Sequence, residues 1–239
     1  ERFPEGKDAS AWIIPGGVTS IGEYAFAYVN SLIKLQIPEG VLSIPANIAD
    51  SAQNLKEVVL PSTVALGRNY GNGADAIYYF LFNNPLWERI TVAANNPYYK
   101  SVDGVLYNKD ATTLLRFPEG KNVNGWSMPS TVKTIGQDAF AKVSSLTTFE
   151  IPEGVNDVDF GIAPWSSNLT EIFIPSTTRL WDIRSSTYEN TSLKAFRVSA
   201  SNPYYTAIDG VLYNKDVTTL LRFPAAKSTH SWVIPGTVT

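Results

Sequence analysis

A six-residue phrase occurs three times in this 239-residue chain, and it constrains the architecture more than any local pattern does. It reads Arg2-Phe3-Pro4-Glu5-Gly6-Lys7, returns unchanged at 116–121, and returns at 222–227 as Arg-Phe-Pro-Ala-Ala-Lys. A tryptophan and a proline follow each copy: Trp12 and Pro15, Trp126 and Pro129, Trp232 and Pro235. The copies begin 114 and 106 residues apart. The chain therefore reads as one repeat array over 1–239, with a first module at about 2–115, a second at about 116–221 and a partial third at 222–239. It opens in mid-module and carries no recognisable signal peptide, so a fragment of a longer protein is the expectation.

A shorter period runs inside each module. The apolar residues Ile14, Ile37, Leu60, Val92, Phe117 and Met128 are spaced by 23, 23, 32, 25 and 11 residues. From Met128 through Ile151, Ile174, Val198 and Phe223 to Ile234 the steps are 23, 23, 24, 25 and 11. With Phe3 these make twelve marks, which read as about twelve rungs of a solenoid. The difference of 32 against 24 places an eight-residue insertion in module 1, within 66–84.

Each full rung has one grammar: Leu32-x-x-Leu35-x-Ile37-Pro38 recurs at Leu55–Pro61, Leu146–Pro152 and Leu169–Pro175. The alternation predicts a strand with one buried face, and the proline, having no N–H for the ladder, ends it. A second apolar pair follows at Val18/Ile21, Val41/Ile44, Val132/Ile135 and Val155/Val158. Then Gly22-x-x-Ala25-Phe26 and Gly136-x-x-Ala139-Phe140 suggest one or two helical turns, with the phenylalanine pointing inward. Val105–Tyr107 and Leu114–Phe117 predict a hairpin, repeated in the matching stretch 209–223, in place of that helical turn. The 11-residue step from Phe117 to Met128 fits either a shortened coil or an antiparallel pair. A lone rung leaves its strand N–H and C=O groups unpaired, so only a stack of rungs is stable.

Composition narrows the chemistry. There are 19 Lys plus Arg against 22 Asp plus Glu, so the net charge of −3 leaves no basic footprint for nucleic acid. No apolar run approaches the length of a membrane span, and membrane insertion is not expected. With no cysteine and one histidine, His230, thiolate metal sites and histidine-centred catalysis lack material. No metal or cofactor is expected.

The order L-x-x-I-x-I-P-x-x-V-x-x-I-G-x-x-A-F, carried by Leu32–Pro38 and Val132–Phe140, resembles the BspA-like leucine-rich repeats of bacterial cell-surface proteins. The phrase at 103–115 and its copy at 209–221 are similar to a hairpin common in that family. Where the family often has cysteine after Ala-Phe, this chain has Val29 and Val143, which suit a core position. The resemblance implies an α/β repeat solenoid: a right-handed leucine-rich-repeat array, strand-dominated, with short helical turns and inserted β-hairpins. The alternative is a parallel β-helix, disfavoured by the expected helical turns. The resemblance also implies cell-surface or secreted placement and adhesive or protein-binding roles, with no catalytic site.

The outward strand positions form the candidate binding face: Lys34 and Gln36, Glu57, Arg89 and Thr91, Arg116, Thr148 and Glu150, Glu171 and Phe173, Arg197, and Arg222. They are expected to make one continuous concave sheet surface for a protein or glycoprotein partner. Trp165, Trp181 and Tyr188 sit at irregular positions and are the candidate aromatic contacts for a glycan-binding alternative. A passive stalk is a second alternative. A polysaccharide-acting enzyme, built on carboxylate pairs such as Asp157/Asp159 or Asp182/Glu189, is the least supported.

Overall fold

The computed structural model describes residues 4, 8–10, 13–45, 47–66, 81–180 and 190–239. Contacts divide the chain into two units, Glu1–Asn122 and Val123–Thr239. Unit 1 contains β1 (Lys34–Gln36), β2 (Ser43–Ile44), β3 (Glu57–Leu60), β4 (Ala65–Leu66), β5 (Arg89–Val92), β6 (Tyr99–Val102), β7 (Val105–Asn108) and β8 (Thr113–Arg116). Unit 2 contains β9 (Thr134–Ile135), β10 (Thr148–Glu150), β11 (Asp157–Val158), β12 (Glu171–Ile174), β13 (Arg179–Leu180), β14 (Ala195–Val198), β15 (Tyr205–Ile208), β16 (Val211–Asn214) and β17 (Leu220–Arg222).

Each unit is a strand-dominated solenoid whose coils stack in parallel. The wide ladder is β1-β3-β5 in unit 1 and β10-β12-β14 in unit 2. Register is set by the apolar alternation: Leu35 opposes Val58, which opposes Ile90, and Phe149 opposes Ile172, which opposes Phe196. All six are buried. The pre-proline residues continue the ladders, with Ile37 donating its N–H to the Val59 carbonyl and Ile151 to that of Phe173. A narrow second ladder pairs β2 with β4, and β9 with β11 with β13. Six strands therefore form the wide ladders. The twelve apolar marks overcount the coils: Phe117 and Phe223 follow hairpin strands, Ile14, Met128 and Ile234 adjoin no strand, and Phe3 is outside the described residues.

Polar staples cross the interval between coils. The Glu39 carboxylate accepts from the Ser62 N–H at 3.0 Å and the Ser62 hydroxyl at 2.8 Å, and Glu153 does the same with Ser176 at 3.0 and 2.9 Å. Thr63 and Thr177 follow, each accepting from a glycine N–H (Gly40, Gly154) and donating to a valine carbonyl (Val41, Val155). The serine N–H groups, with help from the hydroxyls, hold both carboxyls below the ordinary glutamate value of 4.5. A folded-state value below the unfolded one gives stability that is present above pH 4.5 and is lost as pH falls through the folded value. The double variant Glu39→Gln/Glu153→Gln is expected to flatten the acid limb of a Tm-against-pH curve, leaving its slope above neutrality unchanged.

The Gly-x-x-Ala-Phe corners differ from the helical turns that the sequence suggests: no helix occurs among the described residues. Two left-handed residues break each corner, Tyr24 (φ 55°) and Tyr28 (φ 61°) in unit 1 and Asp138 (φ 49°) and Lys142 (φ 59°) in unit 2. Their peptide groups turn toward the next coil instead of up a helix. Phe26 N–H bonds the Ile48 carbonyl at 2.7 Å, Tyr28 that of Asp50 at 2.9 Å, Asp138 that of Phe160 at 2.8 Å and Lys142 that of Pro164 at 2.9 Å. Corners bonded coil to coil are what a parallel β-helix has, so that description fits these units as well. Phe26 and Phe140 are buried as expected, and so are Val29 and Val143.

Each unit ends its coils with a three-stranded antiparallel meander, β6-β7-β8 and β15-β16-β17. Its first strand escaped the sequence reading, which found only the other two. Asp103-Gly104 (φ 48° and 75°) and Asp209-Gly210 (φ 47° and 76°) make the tight turns between the first two strands, the positive-φ pair that a two-residue hairpin with right-handed twist needs. Residues 117–128 contain no strand, so the 11-residue step is not an antiparallel pair. The expected insertion lies mostly within 67–80, outside the described residues.

Candidate functional site

In unit 1 the outward row reads Lys34, Glu57, Arg89 in register, with Gln36, Val59 and Thr91 two residues on. Glu57 lies 3.3 Å from the Lys34 ammonium and accepts from the Thr91 hydroxyl at 3.1 Å. The Arg89 guanidinium, exposed, has no ion pair among the described residues. In unit 2 the rows are Thr148, Glu171, Ala195 and Glu150, Phe173, Arg197. Arg197 is gripped by Glu150 at 3.1 Å and Glu171 at 2.5 Å and lies 5.2 Å over the Phe173 ring. The hydrogen bonds it donates to the two carboxylates, that to Glu171 foremost, hold its guanidinium more firmly protonated than usual.

Two expected face residues are elsewhere. Arg116 is 1% exposed, paired at 3.0 Å with the equally buried Glu119 and 5.8 Å from the Trp87 ring. Arg222 is half-buried. Both are on the third strand of an antiparallel meander, where the alternation that holds for the parallel strands assigns the wrong side. Within each unit the wide ladder is one three-stranded sheet, β1-β3-β5 in unit 1 and β10-β12-β14 in unit 2.

Beside the unit 1 row, β5 and the meander turn enclose a polar groove of about 520 Å³. Its polar lining includes Glu88, Arg89, Ser101, Asp103, Lys121 and Asn122. Lys121 reaches Asp103 at 3.2 Å, and Lys227 and Asp209 repeat that pair at 2.9 Å in unit 2. The groove could have been suspected from the repeats, because Glu88, Arg89 and Ser101 correspond to Lys194, Ala195 and Ala207 in the second module.

Of the aromatic candidates, Trp165 is half-buried on a left-handed backbone (φ 57°), while Trp181 and Tyr188 lie outside the described residues. Of the recurring tryptophans, Trp126 meets Phe140 edge-on at 6.0 Å and Trp232 meets Phe223 at 5.4 Å, while Trp12 lies outside the described residues. Burial, then the neighbouring Asp157 charge, raises the Asp159 carboxyl above its ordinary range, which a structural acid shows as readily as a catalytic one. The other pair, Asp182/Glu189, is outside the described residues. His230 is exposed, and no cluster of potential metal ligands occurs among the described residues.

The family model for the BspA type leucine-rich repeat region matches in six copies, over residues 3–92 and 116–218. The chain belongs to the BspA-type leucine-rich repeat family. Solved structures agree with this BspA-type solenoid. A leucine-rich repeat protein from Eubacterium ventriosum is 25% identical, with a TM-score of 0.58 over 77% of this chain and 52% of its own. The pneumococcal vaccine antigen PcpA is 21% identical and shares the fold, with a TM-score of 0.59 over 80% of this chain and 51% of its own. The BspA-type chain thus spans about half the length of these proteins. A search among curated proteins finds no match. No helix among the described residues is long and apolar enough to cross a membrane.

Proposed function

We propose that this chain is a non-enzymatic binding scaffold, displayed on a bacterial surface or secreted, that captures a protein or glycoprotein through the outward rows of its parallel sheets. One observation carries the reading: the frame is kept between the units while the face is changed. Inward positions stay apolar, Leu35/Val58/Ile90 against Phe149/Ile172/Phe196. Outward positions change in charge and size around a constant glutamate (Glu57, Glu171): Lys34 and Arg89 stand against Thr148 and Ala195, and Gln36, Val59 and Thr91 against Glu150, Phe173 and Arg197. Variable side chains on a rigid regular frame make a tunable surface. The family, and a neighbour that is a pneumococcal vaccine antigen, support such a role.

The test is capture of soluble matrix and mucus glycoproteins on the immobilised chain. Phe173→Ala/Arg197→Ala removes an aromatic and an arginine stacked on each other, the residue types that anchor interfaces. Capture is expected to fall by about tenfold or more. Tm should move little, since exposed ion pairs contribute about 0–1 kcal/mol. Capture undiminished in that variant and in an Arg89→Glu variant would refute the face as the binding surface.

A further inference from the structure

The two units provide an internal comparison at the polar groove. Gly104 and Gly210 share φ near 75°, and a Cβ on either would come within 2.9 Å of the Cβ of Arg89 or Ala195. The Lys121–Asp103 and Lys227–Asp209 pairs are likewise common to both. These shared parts build the meander's seat on the last coil. Arg89 and Ser101 are not needed for it, because unit 2 keeps the same seat with Ala195 and Ala207 there.

What unit 1 adds is a set of donors. Arg89 brings an exposed guanidinium with no ion pair among the described residues. Ser101 accepts from the Val92 N–H at 3.1 Å, so its hydroxyl hydrogen remains free to point into the groove. Thr91 spends its hydroxyl hydrogen on Glu57 and Lys121 is paired with Asp103, so Arg89 and Ser101 are the donors that unit 1 adds toward a guest. A planar guanidinium with a neutral hydroxyl beside it matches a carboxylate, which takes two parallel N–H bonds from arginine. Glu88 and Asp103, which also line the groove, oppose a dense run of negative charge and favour a cation next to the bound acid.

We propose that this groove is a carboxylate subsite, which seats one Asp or Glu side chain of a bound polypeptide on Arg89 and Ser101, with a basic neighbour toward Glu88. This rests on the protein-binding reading and names the partner's chemistry at one place on the face. A polyacidic segment is disfavoured by Glu88.

The probe is a capped pentapeptide, glycine apart from one glutamate and one lysine, titrated into the ¹⁵N-labelled chain to on the order of 10 mM. Shifts are expected at the amides of residues 88–91, 101–104 and 120–122. They should be about tenfold weaker for the peptide with glutamine in place of glutamate, and for Arg89→Gln, as one charge-assisted hydrogen-bonded contact warrants. Ala195→Arg/Ala207→Ser should create a second responsive set around residues 194–197 and 207–210. Equal response to the glutamine peptide, no response, or shifts elsewhere would each overturn the subsite. Peptide binding without glycoprotein capture would instead overturn the wider reading and leave the subsite standing.

Discussion

Replacing Glu119 with alanine is expected to lower the unfolding free energy of unit 1 by about 3–5 kcal/mol. Both members of the Arg116–Glu119 pair are almost fully buried, at 1% and 2% exposure. The carboxylate also accepts the backbone N–H groups of Asn83 at 3.2 Å and Asn84 at 2.8 Å. Removing it takes the carboxylate at 3.0 Å from a buried guanidinium and the acceptor from two peptide donors. The charge is the larger loss, because an ion taken out of water needs its partner far more than a neutral group does. The paired replacement Arg116→Met/Glu119→Leu removes both charges and should cost much less, though the two N–H groups still lose their acceptor. Urea denaturation of both variants checks this, and a single-variant loss below 1 kcal/mol would mean that water reaches the pair. Unit 2 offers the natural contrast: its third phrase has Ala225 where Glu119 stands, and its Arg222 is only half-buried.

Asn96→Ala and Asn202→Ala are the next largest, each expected to cost about 3 kcal/mol or more. Both side chains are fully buried. The Asn96 amide donates to the carbonyls of Pro61 and Val64, both at 2.9 Å, and its oxygen accepts from the N–H groups of Tyr98 and Tyr99, also at 2.9 Å. Asn202 repeats the set on Pro175, Thr178, Tyr204 and Tyr205. One side chain thus ties the turn after a parallel strand to the start of the meander. Alanine takes the asparagine away from four backbone groups, two of them carbonyls in buried bonds. Aspartate keeps the acceptor but sets a carboxylate against two carbonyls, and should be worse. Hydrogen exchange should show the meander of the altered unit opening before its parallel ladder does.

Much of this fold was legible because the stacked strands have a strict period of two and end in proline. The positions of Ile37, Leu60, Ile151 and Ile174 followed directly. Conformation at the corners was not legible, because the left-handed residues there include Tyr24, Tyr28 and Lys142, which carry no sequence mark of a positive φ. The first meander strand could have been found. Asp-Gly between Tyr99–Val102 and Val105–Asn108 is a strong hairpin signal. Arg116 was misjudged because alternation alone does not show which side of a strand is covered. Its spacing to Glu119, three residues on, was the clue to a buried pair. For the candidate site, the outward rows were readable from alternation, whereas the groove beside Arg89 depends on how the meander seats against β5.

The coil-to-coil staples have an evolutionary consequence. Glu39 to Ser62 and Glu153 to Ser176 each span 23 residues, as do Gly40 to Thr63 and Gly154 to Thr177. Adding or deleting one whole 23-residue quantum hands every such partner to an equivalent one, so genes of this kind can lengthen or shorten by recombination without redesigning a contact. Smaller changes in length survive only as excursions where the chain has left the ladder, which is how 32 residues come to separate Leu60 from Val92 where 24 suffice between Ile174 and Val198.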